Sequence, residues 1–129
     1  ARVGYLAADS AVIDALRLVR LPYHLSAFTQ AAAEAALAYS ASLLANVDDI
    51  RIQRDRLVSE LKNLGLDPYA SDANFVLFGG LKNSAEVWQQ LLDRGVLVRN
   101  VGIEGTLRVT AGTFEETTAF LEALNEIIS

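Results

Sequence analysis

Two arginines towards the C-terminal end of the chain are the residues best suited to bind a ligand. Arg99 and Arg108 lie in the apolar segments VLVRN and TLRVTA, which are joined by a short loop that contains glycine. Guanidinium groups among valine and leucine side chains are costly to bury without an anion, and their planar fork matches carboxylate and phosphate. The pair therefore predicts a site for a small anionic metabolite. Taken alone, each arginine also fits an ordinary surface position on a half-exposed strand.

Several other kinds of reactive site are excluded by residue type. The chain has no cysteine, and His24 is its only histidine, which excludes disulfides, thiolate zinc sites, cysteine nucleophiles and histidine metal clusters. No Walker A motif, dinucleotide-binding glycine pattern or serine nucleophile elbow occurs. The carboxylates of Asp48, Asp49, Asp55 and Glu60 have the spacing of a solvated helix face. We therefore expect no metal site.

The composition is that of a globular protein with an acidic surface. The chain has 129 residues, is 52% hydrophobic and has a formal net charge of −5, so it could form one modest domain or part of a larger one. The lack of a basic cluster argues against nucleic-acid or anionic-membrane partners, and the alanine-rich stretch 30–47 is too weakly apolar to span a membrane. Because the sequence begins without an initiator methionine or a signal-peptide pattern, we expect it to be a piece of a longer protein.

The first residues predict a strand and a capped helix. Arg2–Ala8 is a short apolar segment that predicts a strand, and Asp9 is placed to cap a helix over 10–20, where apolar residues recur at helical spacing. Leu21-Pro22-Tyr23 is expected to end that helix, because proline disfavours helical geometry in the residue before it.

A single long helix is predicted next. Ser26 is placed to cap it, and Gly65 to end it just after Leu64. Its first half is rich in alanine, which suits close packing, whereas its second half is amphipathic. The predicted apolar stripe consists of Ile50, Leu57, Leu61 and Leu64. A helix with two such surfaces often connects two domains.

The rest of the chain predicts the order strand, strand, helix, strand, strand, helix. The predicted segments are Leu66–Ala70, Asn74–Phe78, the helix after Asn83 and Ser84 that Gly95 ends, Val96–Arg99, Thr106–Ala111 and Phe114–Ile128. Thr113 and Glu116 have capping-box spacing for the last helix. Arg108 alternates with Leu107 and Val109, so its side chain is predicted to leave the face that those residues bury. The order predicts a small α+β domain whose helices cover one sheet.

Five separated segments together resemble a known family. They are ARVGYLAA, RLPYHLSAFTQAAAEAAL, SDANFVLF, LLDRGVLVRN and GTLRVTAGTFEE, in that order. They resemble the C-terminal part of the histidinol-phosphate aminotransferases, which are pyridoxal 5'-phosphate (PLP) enzymes of the fold-type I, aspartate aminotransferase-like superfamily. The resemblance covers essentially the whole chain. It implies an α/β fold: the end of the large PLP-binding domain over residues 1–25, an interdomain helix over 26–64 and a small C-terminal α+β domain over 65–129.

The resemblance implies roles for three arginines. Arg2, in Arg2-Val3-Gly4, matches the family's arginine that binds the cofactor phosphate. Arg108, in Leu107-Arg108-Val109-Thr110, matches the arginine that binds the substrate α-carboxylate. Arg99 matches an arginine associated with the substrate phosphate. The implied cofactor is therefore PLP, anchored in part by Arg2.

The family's Schiff-base lysine is expected upstream of Ala1, since neither Lys62 nor Lys82 fits its motif. No catalytic residue is therefore expected in this chain, which alone should be inactive. The implied activity of the intact protein is transamination of histidinol phosphate with glutamate or 2-oxoglutarate, in histidine biosynthesis, by a cytoplasmic homodimer. Two alternatives stay open: a paralogue that transaminates phenylalanine or another aromatic amino acid, and a non-enzymatic α+β interaction domain.

Overall fold

The computed structural model describes residues 2–128, within which the chain forms helices and a small antiparallel sheet. By backbone contacts it divides into two compact units, one up to Leu44 and one from Ala45 on. In chain order the elements are α1 Ser10–Val19, α2 Ala27–Ala38, α3 Ser40–Asn63, β1 Asp67–Pro68, β2 Phe75–Gly79, α4 Ser84–Asp93, β3 Leu107–Thr110 and α5 Phe114–Ile128. The prediction of a mixed α/β chain is confirmed.

The first unit contains two capped helices. The Asp9 carboxylate accepts the backbone N–H of Ala11 at 2.9 Å and begins α1, and the Ser26 hydroxyl accepts the N–H of Thr29 at 3.1 Å and begins α2. Both predicted caps are confirmed, as is the break between the helices. The predicted strand over Arg2–Ala8 is wrong: this segment is irregular and exposed. A strand exists only through a ladder with a neighbour, and none of the strands described pairs with it.

The prediction of one continuous helix from Ser26 to Leu64 is also wrong. Tyr39 interrupts it with φ −109° and ψ 19°, and its backbone N–H bonds to the carbonyl of Ala36, three residues back. This tighter turn ends α2, and α3 begins at Ser40. The alanine-rich segment ends here and is followed by tyrosine and serine, which have lower helix propensity than alanine. The break therefore lies where the local helix propensity falls.

The sheet has the order β1-β2-β3 and is antiparallel throughout. β1 has two residues, which is shorter than the predicted strand Leu66–Ala70, whereas β2 and β3 lie where strands were predicted. The predicted strand Val96–Arg99 is wrong, because only Arg99 forms a bridge. The Val96 N–H instead bonds to the Leu91 carbonyl at the end of α4, and the Val98 carbonyl accepts the Trp88 indole N–H. These backbone groups are therefore not available to a ladder.

The core of the second unit lies between one face of the sheet and the helices. Alternate residues of β2 and β3 are buried on that face: Val76, Phe78, Leu107 and Val109. They form one cluster with Leu57 and Leu61 of α3, Leu91 of α4, and Phe120 and Leu124 of α5. The rings of Phe78 and Phe120 meet edge to face at 6.1 Å. The opposite face of the sheet contributes none of these core side chains.

Local signals end and begin the helices of this unit as predicted. Gly65 and Gly95 adopt φ values of 76° and 78° after α3 and α4, a left-handed geometry that glycine adopts without strain. At α5 the capping box is reciprocal, since Thr113 Oγ1 accepts the Glu116 N–H at 3.2 Å and Glu116 Oε2 accepts the Thr113 N–H at 2.8 Å. These contacts fix the direction in which the chain leaves β3.

Candidate functional site

Arg99 and Arg108 lie directly opposite each other. The N–H of Arg99 donates to the carbonyl of Arg108, and the N–H of Arg108 donates to the carbonyl of Arg99, both at 2.9 Å. Residues that exchange both bonds in an antiparallel pair have their side chains on the same face. The structure therefore brings together the two arginines that the sequence placed on separate segments.

This face is the one turned away from the core. Arg108 lies between Leu107 and Val109, which are buried on the other side, and is itself half-buried, whereas Arg99 is exposed. The prediction from strand alternation for Arg108 is confirmed. On the same face, β2 contributes Phe75 and Leu77, both half-buried. The arginine face, which we define as Phe75, Leu77, Arg99 and Arg108, is thus a partly apolar surface with two positive charges.

The guanidinium of Arg108 has an aromatic neighbour and, among residues 2–128, no ion-pair partner. Its central carbon lies 4.6 Å from the centroid of the Phe75 ring. Its Nε is buried and has no hydrogen-bond partner among residues 2–128. The ion pairs within those residues use other arginines, namely Arg17, Arg51, Arg54 and Arg94. Like charges directly opposite each other destabilise a strand pair, so a bound anion would relieve a repulsion that the described residues leave in place.

A side chain of α4 fixes the segment that leads to Arg99. Trp88 Nε1 donates to the Val98 carbonyl at 2.9 Å. Beyond Arg99, the loop bends at Gly102 and Gly105, which have φ values of 78° and 69°. Sequence reasoning did not identify Trp88 or Phe75 as part of the site. The signal for Phe75 was its alternation with the buried Val76; nothing in the sequence joined Trp88 to residue 98.

The remaining predicted residues are exposed within their own units. Arg2 belongs to the first unit, where it is exposed and has a positive φ of 53°. Lys62 and Lys82 are exposed, the first at the end of α3 and the second between β2 and α4. No cluster of potential metal ligands occurs among residues 2–128, and no helix in that range is long and apolar enough to cross a membrane.

The family was identified by comparison with known proteins. The model of the family described as aminotransferase class I and II matches residues 1–124. This chain belongs to that family. Among curated relatives, the histidinol-phosphate aminotransferase of Paenarthrobacter aurescens (strain TC1) is 62% identical over 99% of this chain and 34% of its own length. That of Frankia casuarinae is 59% identical over the whole chain and 32% of its own length. The chain thus spans about a third of these relatives.

Solved aminotransferase structures share the fold. A putative aminotransferase from Burkholderia pseudomallei matches with a TM-score of 0.79 and 28% identity, over 94% of this chain and 38% of that one. A histidinol-phosphate aminotransferase from Sinorhizobium meliloti, solved in complex with pyridoxal 5'-phosphate, matches with a TM-score of 0.72 and 26% identity, over 92% of this chain and 34% of that one. The class I and II family and this complex imply PLP as the cofactor.

The arginines of this chain fit the phosphate of PLP and the anionic groups of an aminotransferase substrate. Arg2 has an exposed guanidinium without an ion-pair partner among residues 2–128, which suits a phosphate. The arginine face has a second set of unpaired donors, including the buried Nε of Arg108. The lysines at 62 and 82 are exposed, whereas an amine that reacts with an aldehyde is usually activated by burial or by another cation. The donor set therefore fits phosphate and carboxylate groups, and it provides no reacting amine.

Proposed function

We propose that the chain is the C-terminal third of a PLP-dependent histidinol-phosphate aminotransferase, which transfers the amino group between histidinol phosphate and 2-oxoglutarate. The observation that carries the proposal is the pair of arginines that lie opposite each other across the β-bridge, with both side chains on the arginine face. Identities of 62% and 59% to curated enzymes of that name support the choice of substrate. Histidine biosynthesis in the cytoplasm is the setting that such an enzyme implies.

The two arginines are proposed to bind different substrate groups. Arg108 is half-buried against an aromatic ring, so its fork has a defined plane that suits the planar α-carboxylate of glutamate. Arg99 is exposed and suits the bulkier, more hydrated phosphate of histidinol phosphate. A transaminase receives its two substrates in turn at one site. Two adjacent forks let that site accept a phosphate in one half-reaction and a carboxylate in the other.

The contribution of this chain is binding and alignment. PLP, when bound, supplies the electron sink for the chemistry. Arg2 is proposed to hold its phosphate, together with residues outside this chain. Arg108 and Arg99 then orient the substrate so that its amine is presented in one position, which lowers the entropic part of the barrier. No residue of this chain is proposed to transfer a proton.

The proposed domains follow the same assignment. Residues 1–25 are assigned to the end of the large domain, 26–64 to the helical connection and 65–129 to the small domain. The core around β2 and β3 supports the last of these, although Leu57 and Leu61 of α3 belong to that core as well. In the first unit, large apolar side chains are exposed: Leu18, Val19, Leu21, Tyr23, Phe28 and Leu37. Exposed apolar surface of this kind is usually covered, here by the rest of the protein or by the second subunit of a homodimer.

The test is the activity of the whole protein. Purified with PLP, it should convert histidinol phosphate and 2-oxoglutarate at a kcat/KM well above that for phenylalanine. Equal use of phenylalanine would favour the aromatic aminotransferase, and the lack of any transamination would favour the interaction domain. The sequence before Ala1 gives an independent check, because the proposal requires the family's Schiff-base lysine, preceded by a serine, a few residues before Arg2.

Single substitutions test the two roles separately. Arg108→Gln should raise KM for glutamate about 30-fold or more, as expected when one partner of a charge-assisted pair is removed, and should leave the PLP absorbance unchanged. Arg99→Gln should act mainly on histidinol phosphate. Arg51→Gln is the matched control, since it removes the same charge from an exposed site on α3. Loss of bound PLP in the Arg108 variant would contradict its assignment.

A further inference from the structure

Phe75 lies beneath the proposed carboxylate-binding arginine because of the strand register. Leu77 is the residue opposite Arg108, and Phe75 is opposite Thr110. Phe75 is therefore the diagonal neighbour of Arg108 on the same face, a position that aromatic and long side chains can bridge. The guanidinium carbon lies 4.6 Å from the ring centroid, within the range of a cation–π interaction.

The Arg108 guanidinium is accessible from one side. Its Nε is buried and unpartnered within residues 2–128, and it is the only nitrogen of this residue in that state. An incoming anion therefore reaches the fork through its two terminal nitrogens. The orientation of these nitrogens depends on the plane of the guanidinium, which no ion pair or side-chain hydrogen bond of the described residues fixes. The contact that the structure shows on the face of this guanidinium is the Phe75 ring.

A second arginine with a similar ring contact shows the difference. Arg56 lies 4.4 Å from the Phe114 ring, which is as close as the Phe75 contact. However, Arg56 donates to the Phe114 carbonyl at 3.2 Å and to Thr118 Oγ1 at 2.8 Å. Its donors join α3 to α5 and are used within the fold. Arg108 has the same kind of ring beneath it, but its terminal N–H groups have no partner among the described residues and are available to a ligand.

We propose that Phe75 is a positioning residue for substrate: its ring holds the Arg108 guanidinium in the plane that receives the α-carboxylate. This rests on the proposed function, in which Arg108 binds that carboxylate. Without the ring, the long arginine side chain would sample several rotamers. The entropic cost of ordering it on binding would then weaken the affinity for the anion. With the ring, the fork is ordered before the anion arrives, and the electron-rich ring face stabilises the charge.

The test compares three changes at position 75 in the whole protein, loaded with pyridoxamine 5'-phosphate because 2-oxoglutarate is the amino-group acceptor. Phe75→Leu keeps an apolar side chain but removes the ring, and it should raise the Kd for 2-oxoglutarate, measured by titration calorimetry, about 5- to 10-fold. KM for glutamate should rise by a similar factor with little change in kcat. Phe75→Tyr should stay within about twofold of the native protein, since tyrosine gives a comparable ring face. Pentafluorophenylalanine at position 75 keeps the shape but reverses the ring quadrupole, and it should weaken binding as leucine does.

The control is Phe114→Leu, which removes the ring beneath Arg56 and should leave the Kd for 2-oxoglutarate unchanged. If Phe75→Leu binds 2-oxoglutarate as tightly as the native protein, or if the tyrosine variant weakens binding as much as leucine, the positioning role is wrong. If the leucine variant does not fold, the fluorinated variant decides, and unchanged binding there overturns the proposal. A native protein that binds 2-oxoglutarate but does not use histidinol phosphate contradicts the proposed function alone. A native protein that binds no 2-oxoglutarate overturns both.

Discussion

Removing the positive charge of Arg99 is expected to stabilise the bridge between Arg99 and Arg108, because these two like charges repel each other. Arg99 and Arg108 form a hydrogen-bonded pair with both side chains on one face. The Cβ atoms of opposed residues are about 5 Å apart, so their guanidinium groups are on the order of 7 Å apart. Coulomb repulsion at that distance is about 0.6 kcal/mol at the dielectric constant of water and about 2.4 kcal/mol at an effective value of 20. Because Arg99 is exposed, we expect about 0.5–1 kcal/mol at low ionic strength.

Hydrogen exchange in the whole protein measures this term. The bridge consists of the amides of Arg99 and Arg108, so peptides spanning 96–110 report its opening. In Arg99→Gln at low salt and without anions, protection should rise about two- to fivefold, the factor that corresponds to about 0.5–1 kcal/mol. The gain should vanish in about 1 M NaCl, where the Debye length is about 3 Å. Added phosphate should protect the native protein more than the variant.

The control separates local repulsion from net charge. Arg51→Gln removes the same charge from the same unit, at an exposed site where Arg51 lies 3.5 Å from Asp48. It should not raise protection over 96–110. Two results would refute the reasoning: lower protection in Arg99→Gln at low salt, or a gain that persists at high salt. The first would mean that the arginine side chain packs favourably, and the second that glutamine fits the bridge better for reasons unrelated to charge.

Three further changes test the supports of the site and its core. Trp88→Phe removes a neutral hydrogen bond of about 1 kcal/mol to the carbonyl of the residue before Arg99. Steady-state kinetics should therefore show a rise of a few-fold in KM for histidinol phosphate. An equal rise in KM for glutamate would contradict this. Thr113→Ala removes the cap of α5 and should lower stability in thermal unfolding by about 1 kcal/mol, whereas Thr113→Ser should not. Leu61→Ala opens a cavity at a fully buried position and should lower the free energy of unfolding, measured in denaturant, by about 2–5 kcal/mol. The control Lys62→Ala should have no clear effect on that free energy.

Signals that act over a few residues predicted much of the fold. Asp9, Ser26 and Thr113 cap helices at the positions predicted from their side-chain oxygens. A cap can be predicted in this way because it is a contact between near neighbours in sequence. Gly65 and Gly95 end helices for the same reason. Alternation about Arg108 correctly directed its side chain away from the core. Each of these features depends on the chain within one turn or one strand.

Features that depend on distant partners were not predictable. Residues Arg2–Ala8 have strand-like composition but no ladder, because pairing depends on another segment. Val96–Arg99 is apolar as well, yet its backbone groups bond to α4 instead. The stacking of Phe75 on Arg108 requires the register between β2 and β3, and a slip of one residue would have placed Phe75 on the other face. Sequence pattern restricts such contacts but does not choose among them.

The cost of holding two arginines opposite each other, without an ion-pair partner among residues 2–128, explains how the proposed anion site selects its ligand. Three different parts of the fold hold them: the bridge fixes their backbones, Phe75 lies beneath Arg108, and Trp88 fixes the segment before Arg99. Sites whose donors are ordered by separate rigid supports lose little entropy on binding. An anion that engages one fork still leaves the repulsion from the other partly in place. A ligand that places negative charge opposite both forks gains twice, through new hydrogen bonds and through relief of the repulsion. The surface should therefore discriminate by the number and spacing of negative groups, more than by the carbon skeleton that joins them.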